Sequence, residues 1–338
     1  MRELEYKIPF RYFSVSALQV AQKNTKRKKS RMQTTTPPLA HRYFFKLLAN
    51  IASVPVYLIM EALLPRALGP AMYGNYSFAT NLFQQFFGFL DMGTSTCLYN
   101  ALSRRPGETG LIAFYFRLTA LIFGAAALVA CLLLTDPIGG LFMPQVPLWL
   151  APLAAFWAFL TWFGRVLRSM NDALGLTIPS ELFRTTISLL AVFFLALLFY
   201  WDELTIVTLF LQQYFMLSAT AIAFHYVTRS ALKRQEAYIP RHLPKETTKA
   251  YRLEFFSYSH PLFIQALLSF FMLTTERWLL QWFNGSTEQG FFALSQKVSM
   301  ACFLFVSAMT PLVMRELSIA WGAKDTTLMA RLFMRFAP

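Results

Sequence analysis

The charged residues that lie inside long apolar stretches are the candidates for a functional role in this sequence. Lys297 follows Gly290 by seven residues in such a stretch, and Arg277 stands at a similar depth before Gly285. A charge buried in apolar surroundings is costly and therefore needs a reason. Cations that line a water-filled cavity would bind an anionic group, an arginine with two parallel hydrogen bonds. We therefore predict that Lys297 and Arg277 contact an anionic substrate.

Structural explanations compete with these roles. Arg277 could pair with the adjacent Glu276, whereas no acid lies within one helical turn of Lys297. Arg66 follows a proline that ends an apolar segment, so it either contacts substrate or anchors that segment at the membrane surface. Asp91 either binds a coupling proton or cation, or pairs with an arginine of a neighbouring loop. Both interpretations of each residue stay open.

Side-chain amides also occur inside the apolar stretches. They could bind sugar hydroxyls or hold helices together, and the sequence does not separate these uses. The amide residues are Asn81, Gln84, Gln85, Gln212, Gln213, Gln265 and Gln296. Gln84 and Gln296 complete the set of candidate substrate-binding residues.

The sequence contains no motif of an enzyme, a metal site or a cofactor site. Cys97, Cys131 and Cys302 stand singly in apolar segments, and there is no CxxC, no HExxH and no glycine-rich phosphate loop. We predict no catalytic residue, no metal and no cofactor. Coupling to a proton or sodium gradient is left open.

Composition and apolar runs predict an all-α polytopic membrane protein. Of the 338 residues, 56% are hydrophobic and 14% charged, whereas soluble domains carry about 25% charged residues. Eight spans lie near the roughly 20 residues that a bilayer requires. They are 44–64, 75–100, 111–134, 147–164, 181–200, 204–228, 256–283 and 290–314, and the start of a ninth follows near Thr327.

The loop charges predict the orientation of these spans. Thirteen Lys and Arg residues lie in the loops after spans 2, 4, 6 and 8, and one, Arg66, lies in the loops after spans 1, 3, 5 and 7. Cytoplasmic loops carry the excess of basic residues. We therefore expect a multi-pass protein of the cytoplasmic (inner) membrane with a cytoplasmic N-terminus.

Residues 1–43 form a basic N-terminal extension. The first 31 residues hold nine Lys and Arg against two Glu. Either these residues are not part of the natural protein, whose translation would then start at Met32, or they form an arm that contacts anionic lipid or nucleic acid. Without them 22 Lys and Arg remain against 15 Asp and Glu, and the net charge falls from +14 to +7. We therefore expect no nucleic-acid partner.

A glycine pattern occurs twice in the chain. Gly69 and Gly74, followed by an aromatic residue, return as Gly285 and Gly290, displaced by 216 positions. Two glycines five apart between apolar helices predict a tight hairpin. The repeat predicts two similar six-helix bundles in parallel relation. They are a first bundle at 44–228, a basic cytoplasmic linker at 229–255, and the start of a second bundle at 256–338, with about three more helices expected beyond it.

The first hairpin resembles that of the bacterial polysaccharide (O-antigen type) flippases. The residues that carry the resemblance are Arg66, Leu68, Gly69, Tyr73 and Gly74, then Asp91 and Gly93; Arg277, Gly285, Gly290 and Lys297 carry it in the second copy. The resemblance covers roughly residues 44–325. It implies the multidrug/oligosaccharidyl-lipid/polysaccharide exporter superfamily, two bundles flanking a central cavity, and a polyprenyl-diphosphate-linked oligosaccharide as substrate. The lipid bilayer and polysaccharide polymerase machinery are the other partners to expect.

Three functions remain to be distinguished. The first is a transporter that flips the lipid-linked oligosaccharide by alternating access, and so not an enzyme. The second is a drug/cation antiporter of the same superfamily, which would place carboxylates in the cavity. The third is a membrane glycan polymerase, which would carry catalytic residues in a sizeable outer loop, whereas the outer loops here are short.

Overall fold

A computed structural model describes residues 39–234, 236–240, 242–300, 304–323 and 325–336. In these residues the chain is helical apart from short connections and contains no β-strand. The predicted all-α class is thereby confirmed. The first 38 residues, including Met32 and most of the basic extension, lie outside the described residues.

The described residues form ten helices. In chain order they are α1 (Leu39–Asp91), α2 (Thr94–Arg104), α3 (Thr109–Leu132), α4 (Asp136–Phe142), α5 (Leu150–Ala173), α6 (Thr177–Tyr200), α7 (Ile206–Arg234), α8 (Lys245–Met300), α9 (Leu304–Gly322) and α10 (Thr326–Phe336). Both ends of the predicted linker 229–255 are therefore helical, because α7 ends at Arg234 and α8 begins at Lys245.

The two longest helices, α1 and α8, each reverse direction at a glycine. Gly69 (φ 75°, ψ 161°) and Gly285 (φ 80°, ψ −174°) have left-handed backbone conformations that glycine adopts without strain. A hydrogen bond between Arg277 and Gln296, nineteen residues further along the chain, shows that α8 reverses direction. A straight helix would separate these residues by about 28 Å. Each glycine therefore joins two arms of a helical hairpin.

Six of the described helices are long and apolar enough to cross a membrane: α1, α3, α5, α6, α7 and α8. Because α1 and α8 are hairpins, they supply two arms each. Large apolar side chains such as Leu121, Phe193 and Phe215 lie exposed, as lipid-facing residues do. The chain is a polytopic membrane protein, as predicted.

The prediction of one unbroken span at 75–100 was wrong. Met92 (φ 44°) and Gly93 (φ 76°) interrupt it with two left-handed residues. The Asp91 carboxylate then accepts hydrogen bonds from the Ser95 amide at 3.1 Å and the Ser95 hydroxyl at 2.6 Å, and so caps α2. Apolar composition continues through this break, so span length alone does not reveal it. The predicted span 290–314 includes residues 301–303, which lie outside the described residues.

Helix α5 organises the first bundle. It packs against α1, α2, α3 and α7. Its buried face carries small side chains, among them Ala151, Ala154 and Ala158, which are fully buried. Small residues let helix backbones approach closely where lipid offers no hydrophobic driving force between helices.

Buried charges inside this bundle form ion pairs with one another. Lys46 lies 2.5 Å from Asp172, with both side chains at most 3% exposed. Glu181 pairs with Arg168 at 2.5 Å and with Arg184 at 2.8 Å. Removing one partner of a buried pair costs about 3–5 kcal/mol because the other charge stays buried alone. We therefore assign a structural role to these residues, which is to stabilise the packing of the bundle.

Candidate functional site between the two hairpins

The two glycine hairpins pack directly against each other. A methyl group on Gly74 would lie 1.7 Å from the carbonyl oxygen of Ser286, and one on Gly290 would lie 2.4 Å from that of Pro70. Pro70 and Ser286 are 216 positions apart, as are the two glycines. The contact is therefore pseudo-symmetric, and the second glycine of each hairpin is required for close approach of the two backbones.

An ion pair joins the two hairpins. The Lys297 amine lies 2.6 Å from one Glu61 carboxylate oxygen, and the Tyr73 hydroxyl donates to the other at 2.7 Å. The same amine stands over the Tyr73 ring, 5.4 Å from its centroid. We predicted that Lys297 contacts an anionic substrate because no acid lies within one turn of it, but in this structure Lys297 is paired with Glu61. Its acid comes from the other hairpin, so spacing along its own helix did not show it.

Arg277 lies in the same interface with different partners. It is 6% exposed and donates to the Ser77 hydroxyl at 3.3 Å and to the Gln296 side-chain oxygen. Its guanidinium stands 5.4 Å from the centre of the Phe292 ring. The Glu276 side chain is exposed and forms no ion pair with Arg277 in the described part of the chain, but its charge acts on the guanidinium. The hydrogen-bond partners of Arg277 are both uncharged side chains.

Three other predicted residues do not join this cluster. In the described part of the chain, no hydrogen bond or ion pair links Arg66, Gln84 or Asp91 to Glu61, Lys297 or Arg277. Arg66 is exposed and Gln84 half-buried. Asp91 caps α2 and accepts a hydrogen bond from Tyr115 at 3.1 Å. Its charge also acts on Arg165, one of the basic residues in the predicted loop after span 4.

Glu61, Tyr73 and Ser77 are site residues that the sequence reasoning missed. The repeat contains a signal for Glu61, because an offset of 216 places it opposite Arg277. Equivalent positions of the two hairpins therefore carry opposite charges. Extending the comparison from the glycines to the charged residues would have found this relationship.

The interface also has unused hydrogen-bonding groups. Gln281 and Gln289 are fully buried. Among the described residues, neither amide atom of Gln289 and only the nitrogen of Gln281 has a partner. That nitrogen donates to the Ser286 hydroxyl at 2.9 Å, which donates to Asn75 at 2.6 Å. Such amides could bind water or a hydroxylated ligand.

A second polar contact, the loop clasp, joins the α2–α3 loop to the first turns of α8. Arg105 lies 2.5 Å from Glu254 and 3.1 Å from Glu108, and Tyr251 donates to Glu108 at 2.7 Å. Burial alone would lower the pKa of Arg105, but the hydrogen bond to Glu254 and the Glu108 charge raise it above its ordinary value. Arg105 therefore remains a cation at any physiological pH.

Solved structures share this arrangement of helices. One is a MATE multidrug transporter, DinF-BH, with a TM-score of 0.56. Another, named protein A, has a TM-score of 0.58. Each is 16% identical and covers 88% of this chain and 68% of its own. No curated protein matches the sequence. The chain therefore shares the fold of these two structures.

The family is given by a sequence model. The model described as "Polysaccharide biosynthesis protein" matches residues 39–314, which is most of the chain. The protein belongs to this family. The predicted family is confirmed.

Proposed function

We propose that this protein flips a polyprenyl-diphosphate-linked oligosaccharide across the cytoplasmic membrane for cell-surface polysaccharide synthesis. The observation that carries the proposal is the buried guanidinium of Arg277, which lies between the hairpins and is held by uncharged partners, Ser77 and Gln296. A diphosphate is the kind of anion that a guanidinium binds with two parallel hydrogen bonds. Membership of the polysaccharide biosynthesis family supports this substrate class.

Alternating access would use both contacts between the halves. The glycine contact and the loop clasp lie at opposite ends of the segment that runs from Gly74 through α2 to Arg105. Opening one contact while the other stays closed would expose the interface to one side of the membrane at a time. The charged headgroup would pass between the halves while its lipid tail stays in the bilayer.

The test is transport in cells that depend on this protein. Arg277→Gln should reduce surface polysaccharide at least about tenfold and raise the amount of lipid-linked oligosaccharide inside, because one charge-assisted contact is lost. Arg277→Lys should retain part of the activity. Arg252→Gln, an exposed arginine of α8, is the matched control. Normal transport by Arg277→Gln at equal membrane abundance would exclude the proposal.

Export of a cationic drug is the second candidate, and Glu61 favours it. A buried carboxylate in the interface is the group that a cation antiporter requires, and the MATE structure shares the fold. Glu61→Gln should then sensitise cells to cationic dyes while polysaccharide export continues. The flippase proposal expects the reverse pattern, with the larger polysaccharide defect from Arg277→Gln.

We also propose the cellular setting. The excess of basic residues in the loops after spans 2, 4, 6 and 8 supports an inner-membrane location with a cytoplasmic N-terminus. The transporter fold favours transport over a polymerase activity. Polymerase machinery on the far side of the membrane would consume the flipped substrate. Coupling to a proton or sodium gradient remains part of the hypothesis, with the Glu61 carboxylate in the interface as a candidate residue.

A further inference from the structure

A basic pocket lies at the C-terminal end of α7, outside the hairpin interface. Its volume is about 830 Å³. Its walls include Phe116 of α3, Tyr226, Arg229 and Lys233 of α7, and Tyr238 and Ile239 of the following segment. The main packing partners of α7 are α5 and α6, so this pocket belongs to the first bundle.

The end of α7 builds one wall of this pocket. Glu236 has a left-handed φ of 54°, and its amide donates to the Lys233 carbonyl at 3.1 Å. The Ala237 amide donates to the Leu232 carbonyl at 3.0 Å, which completes a Schellman motif. The chain thereby turns back beside the last turns of α7. The Thr109 hydroxyl then donates to the Tyr238 carbonyl at 2.7 Å and ties this segment to the start of α3.

An exposed stripe on α7 leads from the apolar zone into the pocket. Leu211, Phe215, Ile222 and Tyr226 are 60–69% exposed. At about 100° per residue they share one helix face, within roughly 60°, with Arg229 and Lys233. Phe215 and Tyr226 are separated by about 16 Å along the helix, near half of the ~30 Å hydrocarbon core. The stripe therefore matches the depth of one membrane leaflet.

The charge at the end of this stripe is positive. Within the described ranges, no carboxylate forms an ion pair with Arg229 or Lys233, and both side chains are exposed. Long basic side chains extend from apolar surfaces to the membrane interface, where they meet lipid phosphates. These two residues also lie in the loop region that positive charge predicts to be cytoplasmic.

We propose that this pocket binds the headgroup of an anionic phospholipid from the cytoplasmic leaflet. Arg229 and Lys233 contact the phosphate, and Tyr226 and Tyr238 border the headgroup. One acyl chain lies along the stripe from Tyr226 towards Phe215. The inference rests on the pocket, the stripe and the two cations, and it stands whichever substrate the transporter carries.

The experiment is native mass spectrometry of the full chain in detergent, titrated separately with phosphatidylglycerol, phosphatidylcholine and a polyprenyl diphosphate. Phosphatidylglycerol should bind the unmodified protein more tightly than phosphatidylcholine. Arg229→Ala/Lys233→Ala should weaken phosphatidylglycerol binding about 25-fold, because each cation contributes about a fivefold factor. Lys249→Ala/Arg252→Ala removes the same charge from exposed positions of α8 and should leave binding unchanged.

Several results would overturn the proposal. They are equal binding of phosphatidylcholine, an equal loss in the control variant, or unchanged binding by the double variant. Binding of polyprenyl diphosphate alone would assign the pocket to a transport substrate and reject the phospholipid. Lys233→Glu provides a second variant if the alanine pair is unstable, because charge reversal at an exposed position should repel phosphatidylglycerol while the melting temperature stays unchanged.

Discussion

The Glu61 carboxylate and the Lys297 amine lie 2.6 Å apart although 236 residues separate them in the chain. One belongs to the hairpin at Gly69 and the other to the hairpin at Gly285. Their ion pair therefore crosses the boundary that must open if the two halves alternate in access. Because Tyr73 also binds Glu61, the carboxylate is satisfied on both oxygens in this state.

Loss of one partner of this pair should destabilise the protein. Lys297→Ala leaves the Glu61 side chain, 11% exposed, without its cation. We expect the free energy of unfolding to fall by about 2 kcal/mol, less than for a fully buried pair because Lys297 is partly exposed. The double variant Glu61→Gln/Lys297→Met should recover most of this loss, since no charge is left alone. Thermal unfolding in detergent measures both, and equal losses in the two variants would show that the pairing is unimportant.

The close contact between the two hairpins should leave no room for a side chain at the second glycine of each hairpin. In Gly290→Ala the new methyl group would lie 2.4 Å from the Pro70 carbonyl oxygen, which forces the backbones apart. We expect a loss of about 1–3 kcal/mol in unfolding free energy, typical of overpacking. Gly88→Ala is the matched control, because the space around that position is open. A melting temperature of Gly290→Ala as high as that of the control would contradict the close contact.

The loop clasp should control access to Cys97. This cysteine of α2 is 2% exposed and lies in the helix that ends next to Arg105. Arg105→Ala removes the contact with Glu254, so the α2–α3 loop should separate from α8 more often. We expect labelling of Cys97 by a thiol reagent, located by mass spectrometry, to accelerate severalfold. Arg252→Ala should label at the original rate, and no acceleration in Arg105→Ala would mean that other contacts keep this side closed.

The orientation of the chain can be tested with reporter fusions. A reporter active only outside the cytoplasm should be active after Asp202, in the turn between α6 and α7, and after Ser286 at the second hairpin. It should be silent after Arg105 or Lys245, because basic loops stay in the cytoplasm. Activity at the second pair of sites and silence at the first would invert the topology and the proposed direction of transport.

The class of the protein follows from the sequence because its causes are local. In lipid every backbone group must be paired within the segment, so runs of about 20 apolar residues specify helices without knowledge of their neighbours. The reversals at Gly69 and Gly285 are also local, since only glycine takes their left-handed φ without strain. The repeated spacing of these glycines likewise needs no tertiary information.

The chemistry of the site depended on the tertiary structure. Whether Lys297 and Arg277 meet an acid or a neutral group is decided by how the two hairpins rotate and pack against each other. Those rotations depend on contacts such as Gly74 with Ser286, between residues far apart in the chain. Spacing within one helix places a charge at a depth in the membrane, but the groups that neutralise it come from whichever helix packs beside it. Glu61 therefore became part of the site only when the two hairpins were brought together.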